Sequence, residues 1–217
     1  MLPIILKMRL MSMAAASWTA TASPVPLPAE SVATLFAAET SAPIDVDLYD
    51  ENDHQKGHVA IWRDGSVDEP TEVEIMRLFR CRKTHSEAMI HHNTLGMLAD
   101  LAERYAGKTI VYVSAYRVSR DESATSPHRA ARAIDFKIPG AKLREIRDYL
   151  WSTYRHVGVG WYPDGQYIHM DTRPKLHDTS WTFVHGHNRY SPYWAELARR
   201  PHKPVIDKRA HARRSGS

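Results

Sequence analysis

The sequence predicts an α+β domain, a small and mainly antiparallel sheet flanked by helices, on three observations. Short apolar or alternating runs at 44–49, 58–63, 109–114 and 132–138 have the length of strands. Turn formers punctuate them at Asp64-Gly65, Pro139-Gly140 and Pro163-Asp164-Gly165. Two longer stretches, 93–105 and 141–154, carry apolar residues at helical spacing.

Taken in order, Ile44 to Tyr49 alternates apolar and acidic side chains, and His58 to Arg63 is its hairpin partner. Pro70 opens a short helix, with Val73 and Met76 at helical spacing, that ends near Arg80. Asn93 is the expected cap of a stronger helix bearing Leu95, Leu98, Leu101, Ala102 and Tyr105, with Gly107 as its stop. Thr109 to Ser114 reads as a buried strand, Val118 to Pro127 as a polar loop, and Arg132 to Ile138 as a further strand. Ala141 to Tyr154 forms a helix that turns Leu143, Ile146 and Leu150 inward, and Val157 to Arg173 is a last hairpin. His91-His92 and His185-Gly186-His187 read as surface loops, and no internal repeat is visible.

The flanks differ from this folded part. Lys7 and Arg9, the run Leu10 to Trp18 and the small residues Ala20-Thr21-Ala22 have the form of a secretory signal peptide over 1–22. Residues 23–43, rich in proline at the start, read as a linker, and 44–198 as the domain. From Arg199 to the end seven Lys or Arg stand against Asp207. That leaves the rest of a chain of net charge +4 slightly acidic. A tail of this kind is solvated, and it can contact an anionic surface. The positive charge is terminal and lacks interleaved aromatics, which argues against a nucleic-acid platform. No stretch is long and apolar enough to span a membrane. Cys81 is the single cysteine, so an internal disulfide and a thiolate zinc cluster are both excluded.

Any metal must then be held by imidazole and carboxylate. His128 and Asp135 stand seven residues apart, the Asp inside an apolar strand where a carboxylate needs a partner. His169 lies in a second strand, on the face that Tyr167 and Asp171 share. Two His and one Asp form a donor set suited to catalytic zinc.

The wider pattern is Ser114-Ala115-Tyr116-Arg117, Ser126-Pro127-His128, Ala133-Ile134-Asp135, Gly158-Val159-Gly160-Trp161-Tyr162 and Ile168-His169-Met170-Asp171. In order and spacing it resembles the superfamily of zinc D-Ala-D-Ala carboxypeptidases and murein endopeptidases, in particular its MepK-like branch. The match runs over about 109–173, with weaker agreement upstream. The resemblance implies a hedgehog/D-Ala-D-Ala-peptidase-like fold, one Zn2+ held by His128, Asp135 and His169, and hydrolysis of a peptide bond in peptidoglycan stems or cross-links by an exported protein of the periplasm or cell wall. It also implies that Arg117 faces the cleft to hold a substrate carboxylate or oxyanion, the other reading being an ion pair with Asp121 or Glu122. Ser114, Tyr116, Tyr162 and Trp161 are expected to line that cleft, with core packing as the other reading of these side chains.

Two departures stand out: Ala115 and Ala131 occupy places where the family often has glycine, which matters if the backbone there needs positive φ. Many relatives carry a Glu or His two or three residues before the last ligand, where this chain has Gln166 and Tyr167. Asp171 is then the expected general base or, alternatively, the group that orients a ligand histidine. A wall-binding module without catalysis is the competing reading.

Overall fold

A computed structural model describes residues 42–174 and 177–201. The expected signal peptide, the linker up to residue 41 and the tail beyond residue 201 lie outside the described residues. Strands β1 (Ile44–Asp50) and β2 (Lys56–Ile61) form the expected antiparallel hairpin. Helix α1 (Glu69–Leu78) starts one residue before Pro70, because Asp68 caps it by accepting the Thr71 N–H at 2.9 Å.

Helix α2 (His92–Arg104) corrects the expected cap: Asn93 lies inside the helix, and Nδ1 of His91 takes the Asn93 N–H at 3.3 Å. His91-His92 is therefore the helix start and not a free loop. Strands β3 (Ile110–Ser114) and β4 (Ala133–Lys137) follow, then α3 (Leu143–Thr153), which buries Ile146, Leu150 and Trp151. Strands β5 (Val157–Tyr162) and β6 (Tyr167–Thr172) make the second hairpin. The segment after it, where His185-Gly186-His187 is expected as a surface loop, pairs as β7 (Thr179–Val184) and β8 (His187–Tyr190), followed by α4 (Tyr193–Ala198). His185-Gly186 is their turn, with both residues at positive φ.

The eight strands form one sheet in the order β2-β1-β3-β4-β6-β5-β7-β8. It is antiparallel except at β1/β3 and β5/β7, two parallel contacts that a reading of hairpins does not anticipate. Alternation divides the two faces. Ile134, Phe136, Ile168, Met170 and Val159 join Leu95, Leu98 and Leu101 of α2 and Ile146 and Leu150 of α3 in one apolar core, all of them fully buried. Each such side chain contributes about 1.5–3 kcal/mol by leaving water. Asp135, His169 and Asp171, at the intervening positions, project from the other face.

The C-terminal elements are tied to α3. The indole of Trp151 donates to Ala195 O at 2.8 Å, and the Arg147 guanidinium lies between the rings of Trp161 and Trp194, 4.6 and 4.4 Å from their centres. Arg199 donates to Trp151 O at 2.7 Å and pairs with Asp178 at 2.6 Å. The expected tail thus begins too early in the sequence reading: Arg199 belongs to the fold, where it satisfies a carbonyl of the last turn of α3.

Candidate metal centre

Strand register builds the centre. Asp135 of β4 stands directly opposite His169 of β6. A shift in the β3/β4 register between Tyr112 and Ser114 puts Ser114 beside Asp135, where unbroken pairing would put Val113. His128 arrives from the loop before β4, whose reversal is closed by Ala131 N–H to His128 O (3.2 Å) and Arg132 N–H to Pro127 O (2.9 Å). Ala131 makes that reversal at φ +52°, so one of the two places where the family often has glycine does need the left-handed region. Ala115 is not among the positive-φ residues. Its carbonyl takes the Nδ1–H of His128 at 2.6 Å, which fixes the tautomer and presents Nε2.

Nε2 of His128 lies 3.1 Å from Nδ1 of His169 and 3.3 Å from Oδ2 of Asp135, and Nδ1 of His169 lies 2.8 Å from Oδ1 of Asp135. One donor atom from each of the three residues lies within 4.8 Å of the others, and all three side chains are buried. The group could hold a metal ion. Burial alone would lower the pKa of His169, but its bonds to Asp135 and Asp171 outweigh that and raise it to about 9. Burial would raise the Asp135 carboxyl, yet His128 and His169 hold it well below the usual range. Without metal, the centre therefore carries a proton on His169 between carboxylates, in the place where a cation would be favoured.

Behind His169 lies Asp171, fully buried, accepting from Nε2 at 3.0 Å. Arg173 closes the series, its Nη2 3.0 Å from the same Asp171 oxygen. The arrangement needs glycine on β5. A Cβ on Gly158, opposite Asp171, would stand 2.0 Å from Asp171 Oδ2 and 2.5 Å from Arg173 Nη2. A Cβ on Gly160, opposite His169, would stand 2.4 Å from the Trp181 ring, which lies 4.9 Å from the His169 ring, centre to centre.

Of the other expected residues, Arg117 borders the cleft, 37% exposed at its side chain, and it is also ion-paired. Nε lies 2.7 Å from Glu122, and Nη1 lies 3.0 Å from Ser114 Oγ and 3.1 Å from Asp135 Oδ2. Both readings of Arg117 thus meet in one geometry, while Asp121 pairs with Lys83. Tyr162 lines the cleft. Ser114 and Tyr116 border an adjoining hollow beside Cys81 instead, and Ser114 reaches the centre through Arg117. Trp161 points the other way, to Arg147. The sequence reading missed Glu122 as a cleft residue, and with it Trp181, Asn188 and Tyr190. The alternation Thr179, Trp181, Phe183 was the available signal for a strand there.

An α+β sheet brings two imidazoles and a carboxylate together, backed by a carboxylate that holds one of those imidazoles, in a donor set that could hold a metal ion. The family described as peptidoglycan L,D-endopeptidase MepK matches residues 38–177, and the chain belongs to that family. Over 58 residues it is 41% identical to the probable peptidoglycan L,D-endopeptidase MepK of Haemophilus influenzae, covering 27% of this chain and 31% of that protein. Over 59 residues it is 41% identical to the peptidoglycan L,D-endopeptidase MepK of Escherichia coli K12, covering 27% and 32%. The chain thus aligns with about a third of the length of these curated relatives. No solved structure matches it.

Proposed function

We propose that the protein is a zinc-dependent peptidoglycan hydrolase that cuts a peptide bond in stem peptides or cross-links. The observation that carries this reading is the convergence of His128, Asp135 and His169 in a buried cluster that opens on a cleft. Family membership supports the substrate class, and the relatives' names point to an endopeptidase. On this reading the fold is of the hedgehog/D-Ala-D-Ala-peptidase type, and the protein is exported to the periplasm or cell wall with residues 1–22 as its leader. The basic tail would add attraction to an anionic surface. No helix among the described residues is long and apolar enough to cross a membrane.

Zinc bound by the three side chains supplies a Lewis acid for the scissile carbonyl and lowers the pKa of water toward about 7. Ala115 and Asp171 orient the two imidazoles, so that little rearrangement is needed on binding. The position of Asp171, behind the ring of His169 and sealed from solvent, supports the orienting role over that of base. Glu122 is then the carboxylate we assign to accept the proton of the attacking water, since it borders the same cleft. Burial would raise its pKa, but Ser126 and Arg117 lower it, which keeps it ionised and able to accept a proton while making it a weaker base than an unshifted carboxylate. Arg117, next to Glu122, is placed to hold a substrate carboxylate or the developing oxyanion.

Incubating the zinc-loaded protein with purified peptidoglycan tests the reading, with His169→Ala as control. Release of new amino termini by the wild type alone supports it. Zinc binding without any bond cleavage would favour the second reading, a wall-binding module, which the uncharged Gln166 and Tyr167 before the last ligand recommend.

A further inference from the structure

The cleft, about 440 Å3 in volume, has two unlike walls. Arg117, Glu122 and the hydroxyls of Ser123 and Thr125 form a polar one. The cleft's other lining is largely aromatic, from Tyr162, Tyr167, Trp181 and Tyr190 of β5 to β8. Tyr162 lies between Tyr167 and Phe183, stacked on both at 4.5 and 5.2 Å between ring centres. Trp181, beside His169, pairs across the strands with Tyr190, which is 63% exposed and accepts from Asn188 Nδ2 at 3.3 Å. Strands β7 and β8 lie beyond residue 177, where the family match ends, so this part of the wall is not described by the family.

The exposed ring of Tyr190, with the Asn188 amide at its hydroxyl edge and the buried Trp181 ring 6.5 Å away, suits a ligand with an apolar face and a polar rim. A pyranose has that form: axial C–H groups on one face, hydroxyl and acetamido groups around the edge. A free stem peptide, rich in carboxylates, is better matched by the Arg117 side. Distance agrees with this division. The Trp181 ring lies 4.9 Å from the His169 ring and 6.5 Å from the Tyr190 ring, so the Tyr190 ring stands at most about 11 Å from that of His169. An extended peptide covers that span in about three residues, so a sugar at Tyr190 and a scissile bond at the metal centre would be joined by a short stem.

We propose that the β7–β8 hairpin forms a sugar subsite, in which Tyr190 and Asn188, next to Trp181, bind an N-acetylated pyranose of the glycan strand that carries the peptide being cut. The proposal rests on the peptidoglycan-hydrolase reading for its substrate, and its test separates the two. KM is measured for zinc-loaded protein on cross-linked muropeptides and on the same peptides after an amidase has removed the glycan. The wild type should show a KM about three- to tenfold lower for the glycan-bearing substrate, the size of one aromatic stack. In Tyr190→Ala that ratio should fall toward one, and Tyr190→Phe should keep most of it. Equal KM values in the wild type, or an unchanged ratio in Tyr190→Ala, would overturn the subsite.

Titration with a trimer of N-acetylglucosamine, followed by tryptophan fluorescence, reads the subsite without catalysis. Saturable binding that Tyr190→Ala abolishes supports it, and no saturable binding overturns it. If the trimer binds but neither substrate is cut, the hydrolase reading fails and the subsite stands. If both substrates are cut alike, the hydrolase stands and the subsite fails.

Discussion

Asp171 accepts a hydrogen bond from Nε2 of His169 at 3.0 Å, at the edge of the ring opposite to the Nδ1 that faces Asp135. A carboxylate in that place sets the tautomer and angle of the ligand and raises its basicity. Asp171→Ala should weaken zinc binding about 10–100-fold, measured by competition with a chromophoric chelator. Asp171→Asn keeps an acceptor for the same N–H and should retain most of the affinity and turnover. If Asp171→Asn bound zinc normally and lost turnover, Asp171 would be the base after all.

Gly158 has a defined task, to leave room for the Asp171–Arg173 pair. The Cβ of Gly158→Ala would meet Asp171 Oδ2 at 2.0 Å, and this atom cannot retreat without leaving His169 or Arg173. The variant should lose about 1–3 kcal/mol of stability in urea unfolding, and its zinc affinity should fall with it. An unchanged midpoint and affinity would show that the pair has slack.

Ala131 makes the opposite case. At φ +52° an alanine costs about 1–2 kcal/mol that glycine avoids, against about 0.5–1 kcal/mol for the greater chain entropy of glycine when unfolded. Ala131→Gly should therefore stabilise the protein by roughly 0.5–1 kcal/mol and raise Tm by about 1–4 °C in a thermal scan. A fall in Tm would mean that the methyl group of Ala131, itself buried, is worth more than the strain.

The metal centre should also answer to pH. The His169 pKa, raised to about 9 in the metal-free protein, lies above its unfolded value near 6.5. Its stabilising contribution is then complete below about 6.5 and lost as pH rises through about 9. Chelator-treated protein should lose thermal stability over that window. Zinc must displace the same proton, so apparent affinity and the zinc-induced rise in Tm should grow with pH up to about 9. Affinity independent of pH from 6.5 to 9 would contradict this charge state.

Much of the architecture was legible because it follows local rules. The β1–β2 and β5–β6 hairpins came from alternation and turn residues, and α2 and α3 from helical spacing. The ligand set was legible for a different reason: an Asp within the apolar run Ala133–Phe136 and a His flanked by Ile168 and Met170 are out of place in strands unless they meet a partner. The features that escaped depend on pairing across the sheet. Strand β8 is short, polar and exposed throughout, so no period marks it, and the alternation of β7 is too brief to stand out without its partner across the sheet. The register shift that brings Ser114 to Asp135 has no sequence signature, and the glycines at 158 and 160 explain themselves only once Asp171 and Trp181 lie across them.

Metal analysis of the purified protein beside Asp135→Ala, both checked for native circular dichroism, bears most directly on the whole account. The wild type should retain one zinc per chain after dialysis, and the folded variant less than about a tenth of that, since one of three ligands is gone. Stoichiometric zinc in folded Asp135→Ala, or none in the wild type supplied with the metal, would mean that His128, Asp135 and His169 do not form the centre described.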